Sequence, residues 1–71
     1  MLGDMREMKG DDGTDYVIFW GKNHNETELA VLIHPEEGTW LPKSQMEEWP
    51  GMMDEGEFVV KRWILEEKGL I

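Results

Sequence analysis

Two histidines, His24 and His34, lie near Glu26, Glu28 and Glu36, and they are the only imidazoles the chain offers for proton transfer or metal ligation. A nucleophile with a base beside it is missing, because cysteine is absent and no serine, histidine and acid are spaced as a catalytic set. His24 falls in a turn sequence and His34 at the end of an apolar alternation, so structure accounts for both. Imidazole and carboxylate would ligate a metal only if a hairpin folded them together. The expectation is a protein that is not an enzyme, with no catalytic residues, no metal and no cofactor.

The carboxylates carry more information. Between Glu36 and Glu57 stand Glu36, Glu37, Glu47, Glu48, Asp54, Glu55 and Glu57 against the single base Lys43, a net charge of -6. Trp49 sits inside this run, followed by Pro50-Gly51-Met52-Met53, a loop-like stretch that offers a Trp and two Met little local cover. Aromatic and Met side chains exposed together are favoured at binding surfaces. Carboxylates can stand in for phosphates before the same Arg and Lys forks, so an acidic surface with an embedded aromatic suits a basic, nucleic-acid-binding groove. Glu47, Glu48, Trp49, Asp54 and Glu55 are therefore the expected partner-binding residues. The competing reading is a solvated acidic face that aids solubility.

Composition agrees with binding more than turnover. The 71 residues suffice for one small domain, and 16 Asp and Glu against 7 Lys and Arg leave a net charge of -9. Such a chain repels phosphate, which disfavours direct nucleic-acid binding unless Lys22, Lys43, Lys61 and Arg62 converge on one face. No apolar run approaches the ~18 residues of a membrane span, and Met1 to Gly13 lacks the basic and apolar regions of a signal peptide. Without cysteine there is no disulfide framework. A cytoplasmic protein is expected, with no membrane partner.

Residues 1–13 hold three Gly, scattered charge and no sustained period, the pattern of a flexible leader before a single domain over residues 14–71. Asp15-Tyr16-Val17-Ile18-Phe19-Trp20 is β-branched and aromatic, hence a strand. Lys22-Asn23-His24-Asn25 supplies turn chemistry, and Thr27, Leu29, Val31 and Ile33 alternate as a second strand, so the two should form a hairpin. Thr39-Trp40-Leu41 starts a third strand that Pro42 ends. Ser44-Gln45-Met46-Glu47 has the form of a capping box, predicting one helical turn through about Trp49 before Pro50-Gly51. Glu57-Phe58-Val59-Val60 is a fourth strand, and the spacing after Lys61 predicts a short helix with Gly69 as its stop. The sum is an α+β fold, a three- to four-stranded antiparallel sheet with one short C-terminal helix over a face. Val17, Phe19, Leu29, Val31, Ile33, Trp40, Phe58, Val60 and Ile64 should form its core.

Trp40-Leu41-Pro42-Lys43-Ser44-Gln45, then Gly56 to Trp63 and the ending Glu67-Lys68-Gly69-Leu70, resemble a group of short bacteriophage and prophage proteins over about residues 27–71. They share a Trp-aliphatic-Pro-Lys-Ser-Gln run after a hairpin and a C-terminal Trp-containing helix. The chain departs from them in its leader and in the Met52-Met53 pair. The resemblance implies a phage-type origin and a fold more than a mechanism. Small acidic phage proteins include inhibitors of host nucleic-acid machinery, and some anti-CRISPR proteins act as DNA mimics. The expected function by that analogy is inhibition of a host nucleic-acid-binding defence complex, the partner being a host or phage protein with a basic nucleic-acid-binding surface. The alternatives are an accessory module of phage recombination or replication, binding a partner protein or single-stranded DNA, and a structural or oligomerising domain.

Overall fold

The computed structural model describes residues 4–71. Among them are seven strands, β1 (Arg6–Lys9), β2 (Asp15–Lys22), β3 (Asn25–Glu26), β4 (Ala30–His34), β5 (Thr39–Pro42), β6 (Met46–Glu48) and β7 (Glu55–Lys61), then one helix, α1 (Arg62–Glu67). All pairings are antiparallel, in a four-stranded sheet of order β1-β2-β7-β6 and a three-stranded sheet of order β3-β4-β5. The α+β class and the C-terminal helix are as expected. The strands divide between two sheets where a single sheet of three or four was expected.

Period two in β2 and β7 builds the centre. Val17 lies opposite Val60 and Phe19 opposite Phe58, and all four side chains are buried. The two phenyl rings stack with centroids 4.9 Å apart. Gly21 follows on the same face, where a Cβ would stand 3.2 Å from the Phe58 ring and would push that ring aside by a few tenths of an ångström. Onto this face pack Val31, Ile33 and Leu41 of the smaller sheet, Met46, and Ile64, Leu65 and Leu70 from the C-terminus. The opposite face of the large sheet carries Tyr16, Ile18 and Trp20 along β2 and Val59 along β7; Tyr16 and Val59 are buried, Ile18 is half-buried and Trp20 is exposed.

The terminal helix stops where glycine predicts. Gly69 adopts φ 72, its N–H donates to the Glu66 carbonyl at 3.1 Å, and the Leu70 N–H donates to Leu65 at 2.9 Å. This double closure turns Leu70 back into the core. A six-residue helix draws its stability from that docking.

Five local expectations are corrected. Residues 1–13 do not all precede the fold, since Arg6–Lys9 pair with β2 as an edge strand; the first three residues of the expected leader lie outside the described residues. β2 and β4 form no hairpin: β2 pairs with β1 and β7, and β4 with β3 and β5. The cause is Asn23, which is fully buried, whose N–H donates to Asp54 and whose carbonyl accepts from Met53. These bonds bind the chain to the 50–54 loop in place of a turn. Leu29 is 77% exposed, because Thr27 closes a tight connection before Ala30, its hydroxyl oxygen accepting from the N–H groups of Leu29 and Ala30. Trp40 is half-buried, since Leu41 faces Val31 in the core and so turns Trp40 to the other side of the strand. The Ser44 capping box does not form. Lys43–Gln45 make a 3-10 turn without a side-chain cap, and burying Met46 opposite Val60 draws the next residues into β6.

Candidate partner-binding surface

A bulge decides where the acidic residues of β6 point. Met46 is opposite Val60 and Glu48 opposite Val59, so two steps along β6 match one along β7. Val60 faces the core and Val59 the outer side, which puts Glu48 outside. Glu47 also lies outside, because its Oε1 accepts the Tyr16 hydroxyl at 2.9 Å. Without the bulge, strict alternation would return Glu48 to the face of Met46. Glu57, opposite Trp20 on the same outer face, is held by Arg6 of β1. A proton leaving Tyr16 would place phenolate beside carboxylate, and the hydrogen bond to Glu47 therefore pushes the Tyr16 pKa above its ordinary value.

Glu47, Glu48, Trp49, Pro50 and Glu57 line a shallow groove of about 370 Å³. Three of the five expected residues, Glu47, Glu48 and Trp49, meet there. The other two do not: Asp54 ends the Gly51–Asp54 turn, and Glu55 opens β7 opposite Lys22. Trp49 is not the projecting anchor expected of it. It is half-buried against the core, with the Lys43 ammonium 5.7 Å from its ring centroid. The tryptophans that project are Trp20, 59% exposed, and Trp63, 50% exposed. Sequence reasoning missed Trp20 and Glu57, although strand alternation held the signal: Trp20 is out of phase with Val17 and Phe19, and Glu57 with Phe58.

Lysines and arginines do not gather. Lys43 binds Glu26 at 2.7 Å, and Arg62 binds Glu7 at 2.7 Å and Glu66 at 3.3 Å. Lys22 and Lys61 stand at opposite ends of the β2–β7 ladder, about 20 Å apart at the usual rise per residue. Lys43 and Arg62 are thus engaged in ion pairs, and Lys22 and Lys61 are separated by the length of the ladder.

No group of three or more His, Asp or Glu suited to a metal ion occurs among the described residues. His24 and His34 share a separate recess of about 260 Å³ with Glu36 and Glu37. Glu26 is committed elsewhere, to Lys43 and to the Asn23 amide at 2.8 Å, and these two bonds hold its carboxyl below the ordinary range. Among the described residues no helix is long and apolar enough to cross a membrane. No protein-family model, curated protein or solved structure matches the chain.

Proposed function

We propose that this protein works by binding and that its partner is a protein with a basic, nucleic-acid-binding surface. One arrangement supports this reading: the outer side of the large sheet, on which Glu47, Glu48 and Glu57 stand together with the projecting Trp20. Carboxylates set at strand spacings meet Arg and Lys forks as phosphates do, while an aromatic supplies buried area at low entropic cost. Net charge of -9 steers a basic partner toward this face and steers nucleic acid away. The finer proposal is a phage-type inhibitor in the manner of a DNA-mimicking anti-CRISPR protein, acting in the host cytoplasm on a defence complex whose groove it fills.

The test is capture from a bacterial lysate by the immobilised protein, repeated with rising salt, with added duplex DNA, and with Glu47→Lys and Glu48→Lys combined. Nucleic-acid-binding proteins should be retained, released by salt and by DNA, and lost in the charge-reversed variant. Capture indifferent to all three changes overturns the mimic.

A further inference from the structure

β1 closes one side of the four-stranded sheet, and among the described residues nothing pairs with its outer edge. Edge strands are ordinarily guarded by shortness, charged side chains, proline or a bulge, and β1 relies on its four-residue length and its charges. β1 has neither proline nor bulge, its register with β2 running unbroken from Arg6↔Ile18 to Lys9↔Asp15. Its three charged side chains stay exposed, but each is ion-paired within its own chain, Arg6 to Glu57, Glu7 to Arg62 and Lys9 to Asp15, which offsets much of the charge along the edge. Met8, 41% exposed, is left beside an open row of backbone donors and acceptors.

Identical antiparallel strands join in one sheet only about a two-fold axis perpendicular to it. Facing residues must then share a face, so the axis passes through a residue position and pairs that residue with its own copy. β1 offers four such centres. Arg6, Glu7 and Lys9 would each oppose a like charge, which is destabilising. Met8 is the exception. Centred there, Met8 meets the partner's Met8, and Glu7 meets the partner's Lys9 on either side of the axis. The ladder with β2 runs only from Arg6 to Lys9, which confines the choice to these four.

We propose that β1 pairs with β1 of a second copy about an axis at Met8, joining two four-stranded sheets into one of eight strands. The geometry also fixes the orientation. An axis perpendicular to the sheet keeps both outer faces on the same side, so Trp20 and the acidic groove are doubled on one broad surface. This pairing stands independently of the partner proposed above, because it concerns only copies of this chain.

Sedimentation at about 10 µM and about 500 µM reads the association by mass action. The mass should rise toward that of a dimer at the higher concentration, and Met8→Asp, which sets two carboxylates against each other on the axis, should hold it at the monomer. Because the chain has no cysteine, Met8→Cys gives a second readout: it should oxidise to a disulfide-linked dimer at least tenfold faster than Leu29→Cys, whose site is more exposed. A monomeric mass at both concentrations, or equal cross-linking at the two positions, overturns the proposal. Dimerisation that Met8→Asp leaves intact overturns it as well, since the contact then lies elsewhere.

Discussion

Tyr16 of β2 donates its hydroxyl to Glu47 of β6 at 2.9 Å, reaching across β7, which lies between the two strands. The contact orients one of the three groove carboxylates. It passes close to glycine as well: a Cβ on Gly10 would stand 2.8 Å from the Tyr16 ring, so the turn after β1 can lie over that ring only without a side chain.

Tyr16 is the only tyrosine, so the phenolate absorbance of the whole protein reports this contact alone. Its titration midpoint is expected above the ordinary value of 10.0. Glu47→Gln should bring the midpoint back down, since a neutral amide repels phenolate less than a carboxylate does. The sign follows for stability: a raised folded-state pKa contributes stability that is complete below the unfolded pKa and is lost as pH rises through the folded one. A midpoint unmoved by Glu47→Gln would place the two side chains apart in solution.

Phe58 and Leu29 make a contrasting pair. Phe58 is fully buried against Phe19, and Phe58→Ala should cost about 3–5 kcal/mol in denaturant unfolding. Leu29 projects from a turn, and Leu29→Ala should fall within about 0.5 kcal/mol of the parent. A large loss at Leu29 would restore it to the core.

What could be read from the chain was what depended on near neighbours. β2 and β7 alternate in their own residues, and Gly69 stops α1 by a conformation that favours glycine, so both were legible. β1 was not, because Arg6-Glu7-Met8-Lys9 has one apolar residue and becomes a strand only by pairing with β2. β6 was hidden by a local capping pattern that a distant partner, Val60, overrides through Met46. In the candidate site the charge of Glu47 and Glu48 was plain, whereas their shared face depends on the bulge. The burial of Trp49 depends on packing that no local spacing encodes.

Asn23 joins segments far apart in the chain, and its loss should be costly for its size. Its amide donates to Glu26 at 2.8 Å and to the Pro50 carbonyl at 2.9 Å, while its backbone binds Asp54 and Met53. Asn23→Ala would keep the backbone bonds and strand the Pro50 carbonyl, for an expected loss of about 1–3 kcal/mol in thermal or denaturant unfolding. Asn23→Asp should be worse at neutral pH, because it sets a second carboxylate against Glu26, and should recover on acidification. An unchanged melting temperature in both variants would remove Asn23 from the joint.

Glu26 sets an acid limb on stability. Lys43 first, and Asn23 second, lower its pKa from the ordinary value of 4.5. A carboxyl depressed in the folded state contributes stability that is present above the unfolded pKa and is lost as pH falls through the folded one. Glu26→Gln should therefore flatten the stability profile below about pH 4.5 relative to the parent, as measured by urea midpoints across that range. Parallel profiles would show that other carboxylates account for the acid loss.

Trp20 and Trp49 should separate binding from folding. Trp20 is largely in solvent on the outer face, so Trp20→Ala is expected to leave the urea midpoint almost unchanged. If the outer face is the contact surface, the same substitution should weaken capture of a basic partner by tenfold or more, about 1.4 kcal/mol or above, because truncating an interface Trp commonly costs more than neighbouring changes. Trp49 packs against the core, so Trp49→Ala should lower stability first, and its effect on capture should be compared only at temperatures where the variant remains folded. Glu57→Gln gives the electrostatic counterpart, reducing capture at low salt and converging with the parent at high salt as the charges are screened. Full capture by Trp20→Ala together with a salt-independent Glu57→Gln would move the contact surface off this face of the sheet.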